Sequence, residues 1–434
     1  MPRLYEVEFE LQKPYMLEWL SNPDEANCHA KIQEMTQELY QLLHEFVPFD
    51  IEQGVMLEEA NDLRLHAAIK RCTDSILELS PDSPVVFPGS MPFSMSRKNL
   101  EVVCKNSYFV TEKTDGMRYL LYIVNDSTNH PAAVLFDRAK KIRLLSGSSS
   151  IAKALGLETV LDGELVYDTA MKKNVFLVFD ILAINGRSLT SKLFNERLHI
   201  LHTDIADRLR NINNTVDSTP IVIKNFLPKR DLRQLLKCIS IDGLSKVFSD
   251  PRSRQQHKTD GLIFQPDLCY KPFLDNNMVK WKYSDLCTVD MLVEISEERL
   301  ETTGEKVFRP RLKCSGNEGT YIDCSKRGKE YIGLSKFDTY RLLADVDDSD
   351  KRSIAEVSYD TVVGSWIYSH LRKDKVEPNF IDVVLSVLTE QAEEISIEEL
   401  EYRILARNES ENDFNYQLSK MKRKLLDWQR SGRK

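Results

Sequence analysis

The strongest hydrophobic pattern of the chain surrounds one lysine. A short apolar run ends at Val110, and residues 119–124 form a second run that is almost unbroken, as in a buried strand. Between the two runs, residues 114–116 (Thr-Asp-Gly) have the composition of a tight turn. The pattern predicts strand, turn and strand, with Lys113 at the edge of a sheet. An amine there is either a solvated strand end or a nucleophile whose pKa must fall before it attacks.

Further apolar runs predict a chain rich in strands. Strands are predicted at residues 160–166, 175–182, 221–226, 259–264 and 278–283. Residues 132–145 have the pattern of a hairpin, with Asp137 and Arg138 near its turn. Helical spacing of apolar residues occurs at residues 27–45, 58–79, 191–209 and 232–244.

The character of the sequence changes near residue 284, and this change predicts the domain boundaries. Short strands with glycine and charged turns continue to Gly364, as in a small barrel. Helical patterns dominate after residue 379, and the chain ends in a basic tail that is either a solvated face or an anchor for nucleic acid. The predicted units are a strand and helical extension at 1–80, a first domain at 81–284 that begins with a linker-like segment, a barrel at 285–380 and C-terminal helices at 381–434.

Composition excludes several classes of protein. With 42% hydrophobic and 29% charged residues among 434, the chain is typical of a globular protein, and no apolar stretch is long enough to span a membrane. The eight cysteines form no Cys-x-x-Cys pair, which favours a reducing compartment over a disulfide scaffold or a zinc site. Because the net charge is −8, a site for nucleic acid or another polyanion must be a local basic cleft.

Several short polar motifs stand on or beside the apolar strands in a fixed order. They are Lys113-Thr-Asp-Gly116 with Arg118, Asp162-Gly-Glu164, Phe179-Asp180, Asp260-Gly261, Lys280-Trp-Lys282 and Arg372-Lys-Asp-Lys375. Each is weak alone, but together they resemble the covalent nucleotidyltransferase superfamily, which comprises mRNA guanylyltransferases and the DNA and RNA ligases. Residues 87–97, 364–366 and 372–379 resemble segments of the guanylyltransferases of mRNA capping enzymes, so that family is the closest match, over residues 88–379.

The resemblance implies a fold and a reaction. The fold is α+β, with a nucleotidyltransferase domain of antiparallel sheets and helices (the ATP-grasp-like ligase and capping fold) followed by a C-terminal OB-fold barrel. In the reaction, Lys113 attacks the α-phosphate of GTP, expels pyrophosphate and holds GMP through a phosphoramidate bond. A 5′-diphosphate RNA end then attacks, which gives the 5′–5′ triphosphate cap.

The spacing of Lys280 and Lys282 supports this chemistry. Residues at i and i+2 of a strand point from one face, so both ammonium groups can neutralise an α-phosphate and disfavour protonation of Lys113. Trp281 between them points into the core. A solvated strand face is the alternative for the two lysines.

The resemblance also assigns roles to residues around the nucleotide. Glu164 and Asp260 face the nucleotide and its Mg²⁺ or Mn²⁺, and Arg118 and Glu164 contact the ribose. Phe179 and Ile263 sandwich the guanine. The remaining residues assigned to GTP are Thr114, Arg138, Arg372, Asp374 and Lys375. Structural ion pairs are the alternative for Glu164 and Asp260, and a place in the core is the alternative for Phe179 and Ile263.

One position departs from the family pattern. Where the family usually has an arginine, two residues before Arg372, this chain has His370. A histidine there grips a triphosphate only when it is protonated, which weakens the grip near neutral pH. Arg372 and Lys375 belong to the barrel, which in the family closes over the cleft and aims them at the β- and γ-phosphates.

The amino terminus resembles part of a different enzyme. Residues 4–11 alternate strictly, so Glu6, Glu8 and Glu10 share one strand face, as in the glutamate strands of tunnel-type RNA triphosphatases. A solvated edge strand is the alternative that we favour, and a tunnel needs further strands. We therefore expect no triphosphatase activity from this chain. The predicted partners are GTP, 5′-diphosphate RNA, an RNA triphosphatase (a separate chain or an N-terminal region outside this sequence) and an RNA polymerase, with no membrane. The predicted location is the nucleus (or the cytoplasm or virion of a virus).

Two other functions fit the same motifs. One is an ATP-dependent RNA or DNA ligase of the same superfamily. The other is a non-catalytic scaffold that binds a polymerase tail or a triphosphatase subunit.

Overall fold

The fold was analysed in a computed structural model of the chain. The structure describes residues 60, 62–80, 82–210, 218–242, 245–251, 255–299, 306–328, 330–346, 353–361, 363–372, 375–405, 418 and 420–426. The predicted glutamate strand at 4–11 and the helix at 27–45 therefore lie outside the described residues. Within the described ranges, no helix combines the length and the apolarity needed to cross a membrane.

Seven strands form a first sheet, called sheet I. They are β1 (Met91–Ser94), β2 (Tyr108–Thr114), β10 (Leu227–Pro228), β11 (Ile239–Asp242), β12 (Ser245–Asp250), β13 (Gln255–Pro266) and β14 (Leu274–Lys282). The order is β1-β14-β13-β12-β11, and β2 pairs with both β13 and β10. The predicted strands at 259–264 and 278–283 are thus adjacent and antiparallel.

Seven other strands form sheet II. They are β3 (Met117–Asn125), β4 (Pro131–Phe136), β5 (Ile142–Leu144), β6 (Val160–Asp168), β7 (Lys173–Ile184), β8 (Arg187–Ser188) and β9 (Ile221–Ile223). The order is β5-β4-β3-β6-β7-β8, with β9 beside β7. Leu120, Leu121 and Ile123 of β3 are fully buried, which explains the unbroken apolar run in the sequence.

The motif around Lys113 connects the two sheets. The predicted strand, turn and strand are present, but β2 pairs with β13 and β10 in sheet I, whereas β3 pairs with β4 and β6 in sheet II. The two strands are therefore not a hairpin. Asp115 and Gly116 carry the chain from one sheet to the other.

A third sheet follows residue 284. It contains β15 (Val289–Arg299), β16 (Lys306–Ser315), β17 (Tyr321–Asp323), β20 (Ser353–Asp360) and β21 (Ser365–Leu371), in the order β17-β16-β15-β20-β21, and a small ladder joins β18 (Lys326–Arg327) to β19 (Glu330–Tyr331). The paired strands of the large sheet are antiparallel. This agrees with the predicted short strands, whereas closure into a barrel stays a prediction. We keep the name barrel domain for the part of the chain that begins at β15. Among the described residues, no ladder joins β17 to β21.

Helices cover the sheets. They are α1 (Leu63–Leu77), α2 (Arg97–Lys105), α3 (Ser148–Leu155), α4 (Phe194–Ile200), α5 (Ala206–Leu209), α6 (Leu232–Leu236), α7 (Lys336–Asp345), α8 (Ile381–Glu393) and α9 (Ile397–Leu405). Helix α1 packs on one face of sheet II, and α3 to α5 pack on the other. Helices α2, α6 and α9 pack on sheet I.

Three predictions are corrected by the structure. The segment predicted as a linker, residues 81–92, ends inside β1, and its Phe87 is buried in the core, where its ring packs with Phe136. The predicted helix at 232–244 ends at Leu236, and β11 follows. Helix α7 lies in a region where only strands were expected; Ser335 caps it by accepting from the backbone N–H of Asp338.

A buried ion pair stabilises the Phe179-Asp180 motif. The guanidinium of Arg197 on α4 donates from Nε and Nη2 to the two carboxylate oxygens of Asp180, at 2.7 and 2.9 Å. The side chains are 1% and 7% exposed. Asp180 is therefore a structural residue of this motif.

We predict that Arg197→Ala lowers the free energy of unfolding by about 3–5 kcal/mol, because it leaves a buried carboxylate without its partner. Urea denaturation followed by circular dichroism measures the change. Lys192→Ala is the control, since it removes an exposed ion pair with Glu196 and should cost less than about 1 kcal/mol. Equal losses in the two variants would contradict the prediction.

Candidate active site

A row of three residues across sheet I forms the centre of the site. Lys113 of β2 is the register partner of Gly261 of β13, and Gly261 is the partner of Lys282 of β14. Because Gly261 has no side chain, nothing at the middle position separates the two lysines. A Cβ at Gly261 would lie 1.9 Å from the backbone oxygen of Trp281, so the close approach of β13 and β14 requires glycine.

A β-bulge places Asp260 beside the two lysines. Thr114 pairs with Thr259 and Lys113 with Gly261, so one step on β2 corresponds to two residues on β13. The extra residue is Asp260. Bulges redirect a side chain that regular pleating would send to the other face. The hydroxyl of Thr259 donates to the backbone oxygen of Lys113 at 2.7 Å and so holds the bulge.

Asp260 binds both lysines. The ammonium of Lys113 donates to its two carboxylate oxygens at 2.7 and 2.9 Å, and Lys282 lies 2.8 Å from one of them. Burial alone would raise the pKa of Asp260, but the two neighbouring cations hold that pKa below its ordinary value. The resulting cluster contains one carboxylate and two ammonium groups.

Lys280 lies two residues before Lys282 on the same strand and forms no ion pair with any acid in the described part of the chain. Burial, together with the charges of Lys282 and Lys113, lowers the pKa of Lys280 to about 8. Lys280 therefore loses its positive charge at a lower pH than an ordinary lysine does. Trp281 between them is buried in the core of sheet I, as expected from the alternation.

Sheet II supplies the second group of residues. Arg118 of β3 is the register partner of Glu164 of β6, and its Nε and Nη2 donate to Asp162 at 3.0 and 2.6 Å. The guanidinium also lies 5.8 Å from the ring centre of Phe87 and 5.2 Å from that of Phe179. These contacts fix Arg118 in one orientation.

Glu164 is the acid of this group that has no hydrogen-bond or ion-pair partner among the described residues. It is half-buried, and burial raises its pKa while Lys113 and Lys224 oppose the rise. A partly buried carboxylate without a partner is costly, and a ligand hydroxyl or a cation would satisfy it. Asp162 of the same motif serves instead to hold Arg118.

The other predicted residues take different positions. Phe179 and Ile263 are half-buried, one on sheet II and the other on sheet I. Arg138 is exposed in the turn after β4, where its charge acts on Lys280. Thr114 is buried, and its hydroxyl accepts a hydrogen bond from Lys224.

A buried charged network behind Lys113 was missed by the sequence analysis. Lys224 lies 3.1 Å from Glu112, and His257 lies 3.3 Å from the same oxygen. Burial would raise the pKa of Glu112, but Lys224 and His257 lower it. Since Glu112 and Thr114 flank Lys113 in the sequence, their bonds to Lys224 fix the strand on both sides of Lys113.

The barrel residues assigned to GTP are held within their own domain. Arg372 donates to Asp290 at 3.1 Å and to Glu356 at 2.9 Å, and Lys375 also binds Asp290. The structure does not bring Arg372 or Lys375 into contact with the Lys113 cluster. Asp374 lies outside the described residues. His370 is exposed on β21.

The acids of the site fit a metal ion unequally. Among the described residues, no three His, Cys, Asp or Glu side chains are grouped as a metal site. Glu164 has carboxylate oxygens free for a cation, whereas both oxygens of Asp260 are occupied by lysine. Mg²⁺ commonly takes few protein ligands together with phosphate oxygens and water, so Glu164 fits and Asp260 fits only after it releases a lysine.

Comparison with protein families decides the relationship. Residues 53–284, more than half of the chain, match the model of the mRNA capping enzyme catalytic domain, and residues 286–401 match that of the mRNA capping enzyme C-terminal domain. The chain belongs to the mRNA capping enzyme family. The resemblance inferred from the motifs is thereby confirmed.

Relatives of this capping enzyme agree with that assignment. It is 30% identical over 350 residues to the mRNA-capping enzyme subunit alpha of Schizosaccharomyces pombe, covering 75% of this chain and 81% of the relative. It is 27% identical to the subunit alpha of Saccharomyces cerevisiae, covering 74% and 79% of the two chains.

A solved structure, Chlorella virus DNA ligase-adenylate, matches 66% of the chain and all of the ligase at 12% identity, with a TM-score of 0.30.

We predict that Gly261→Ala reduces the guanylyltransferase activity of this capping enzyme by about a hundredfold, because β13 and β14 must separate by about an ångström. Steady-state rates of GMP transfer measure the loss. The control is Gly319→Ala: the backbone φ of 73° at Gly319 strains an alanine, but nothing lies within 4 Å of the added methyl group. Comparable losses in both variants would show that the packing at Gly261 is unimportant.

Proposed function

We propose that this capping enzyme transfers GMP from GTP to the 5′-diphosphate end of RNA, with Lys113 as the nucleophile. The observation that carries the proposal is the cluster of Lys113, Asp260 and Lys282 on three adjacent strands, with Lys280 on the same strand face as Lys282. Two fixed cations beside a nucleophilic amine suit attack on a phosphate, since they neutralise charge that develops in the transition state.

The first half-reaction forms a covalent enzyme. The unprotonated amine of Lys113 attacks the α-phosphorus, a nitrogen–phosphorus bond forms, and the bond to the bridging oxygen breaks with loss of pyrophosphate. In the second half-reaction, an oxygen of the terminal phosphate of diphosphate RNA attacks the same phosphorus, and the amine leaves. Both steps place charge on the α-phosphate oxygens, where Lys280 and Lys282 can stabilise it.

Asp260 has two consequences for the first step. Its carboxylate positions Lys113 within hydrogen-bond distance, but it binds the ammonium form, which cannot attack. A proton must therefore leave Lys113 before the bond to phosphorus forms. When Lys113 gives up this proton, Asp260 is still bound by Lys282, so its carboxylate is not left buried without a cation.

A divalent cation belongs to the proposal. Bound Mg²⁺ or Mn²⁺ would neutralise phosphate charge, and Glu164 is the residue best suited to hold it. Arg118 and Glu164 are neighbours across β3 and β6, which supports a role at the ribose for the same pair.

The barrel residues require a rearrangement in this scheme. For Arg372 and Lys375 to reach the β- and γ-phosphates, they must leave their ion pairs with Asp290 and Glu356. In that exchange, the negative charges of the phosphates replace the carboxylates of Asp290 and Glu356. The scheme therefore includes a barrel that closes on GTP and reopens for RNA.

A partner subunit is part of the proposal. The relatives are named subunit alpha, which supports assembly with a second subunit that removes the γ-phosphate of the RNA. The chain itself would then release no phosphate from triphosphate RNA. Action on new mRNA also supports a nuclear location and association with an RNA polymerase.

We predict that Lys113→Ala abolishes covalent labelling by α-³²P-GTP with magnesium, because the substitution removes the amine that forms the bond to phosphorus. Labelled protein is measured after denaturing electrophoresis. Lys105→Ala is the control, because Lys105 is an exposed lysine at the end of α2 and its loss should leave labelling unchanged. Circular dichroism checks that both variants fold.

The same assay separates the alternatives. Labelling of wild-type protein by GTP supports the proposal, labelling by ATP alone would identify a ligase, and no labelling by either would favour a scaffold. Persistent labelling of Lys113→Ala would refute the choice of nucleophile.

A further inference from the structure

A buried acid from the C-terminal helices reaches the strand that carries Lys280 and Lys282. Glu390 lies in the last turn of α8, and it is 9% exposed. A glutamate this deeply buried needs partners, because burial of an unpaired carboxylate is costly. Burial raises its pKa, and the charge of Lys280 is the strongest influence that opposes the rise.

The partners of Glu390 are all at one corner of sheet I. Its carboxylate accepts a hydrogen bond from the backbone N–H of Lys282 at 3.2 Å and another from the hydroxyl of Ser94. Ser94 is the last residue of β1 and the register partner of Lys280. Glu390 therefore continues the pairing of β14 beyond the point where β1 ends.

The charge of Glu390 acts where the site needs it. Among the described residues, the strongest charges acting on Lys280 come from Lys282 on its own strand, Lys113 on β2, Arg138 after β4 and Glu390 on α8. The first three are cations, and Glu390 is the acid of the set. Asp260 is already bound by Lys113 and Lys282.

Helix α8 is itself held on both sides. Its Val384 is buried in the core of the barrel domain, and the Gln391 side chain donates to the backbone oxygen of Tyr359 at 3.3 Å. In the same last turn, Glu393 accepts from the backbone N–H of Arg97 at 2.6 Å, and just after the helix the backbone oxygen of Ile395 accepts from the Trp281 indole at 2.8 Å. Glu390 is thus fixed against sheet I by contacts that do not depend on its own charge.

We propose that Glu390 is a positioning residue for nucleotidyl transfer, which holds the Lys282 backbone at the corner of sheet I and places a negative charge beside the strand that carries Lys280 and Lys282. The inference rests on the proposed function of Lys280 and Lys282. It assigns to α8 a part in the reaction, in addition to its packing against the barrel.

Two substitutions separate the two parts of this role. Glu390→Gln keeps an oxygen for the Lys282 N–H but removes the charge, and Glu390→Ala removes both. The control is Glu394→Gln, which deletes one exposed carboxylate a turn later in the chain. Solvent screens that charge, so its loss should have little effect on Lys280.

The first measurement does not depend on activity. Competitive acetylation with acetic anhydride over a range of pH, with mass spectrometry of the peptide containing Lys280, reports the pKa of that amine. We expect Glu390→Gln to lower this pKa by roughly half to one unit, and Glu394→Gln to leave it unchanged. An unchanged value in Glu390→Gln, or equal shifts in both variants, would overturn the proposal even if the wild-type protein were inactive.

The second measurement uses enzyme–GMP formation against pH. In Glu390→Gln, Lys280 should lose its charge at a lower pH, so the alkaline limb of the profile should shift to lower pH by the same amount. Glu390→Ala should show this shift and also a lower rate at every pH. A uniform loss in Glu390→Gln with an unshifted limb would mean that Glu390 is only structural. Absence of wild-type labelling would instead refute the proposed function, and the acetylation result would still decide the charge of Lys280.

Discussion

One carboxylate holds together two lysines that would otherwise repel each other across a single glycine. Asp260 can do this because the bulge in β13 turns its side chain to the face of Lys113 and Lys282. The residue after Asp260, Gly261, permits the close approach of β13 and β14 that brings Lys282 beside the bulge. The strand pairing of sheet I and the charge arrangement of the site are therefore consequences of the same local geometry.

Five acids of the site and its surroundings divide into three groups by their partners. Asp162 and Asp180 each bind one arginine in a buried pair, and so they stabilise the fold around the site. Asp260 and Glu390 act on the lysines of sheet I. Glu164 has no partner among the described residues, which leaves it for a ligand. Motifs that look alike in sequence, such as Asp-Gly-Glu, thus contain acids with different physical roles.

Much of this arrangement could be predicted from the sequence. The long strands of both sheets were predictable because they are buried and their apolar runs are continuous. The common face of Lys280 and Lys282 followed from their spacing of two. The pairing of β2 and β3 with different sheets could not be predicted, since two apolar runs around a tight turn have the pattern of a hairpin.

The positions of Lys224 and Glu390 near the site could not be predicted for a different reason. Lys224 follows three apolar residues, so its pattern is that of a solvated strand end, and only contacts with residues more than a hundred positions away bury it. Glu390 lies in an amphipathic helix where an acid normally faces solvent. Its burial comes from packing on a strand of another domain, and no local signal in the sequence records that contact.

The passage of the chain from sheet I to sheet II limits how the cleft can move. Only four residues separate Lys113 from Arg118, and a fully extended chain of that length spans at most about 17 Å. The two sheets are therefore tethered at the reacting end of the cleft, and they cannot draw apart there without melting β2 or β3. Any motion that separates the two sheets must therefore take place away from this connection.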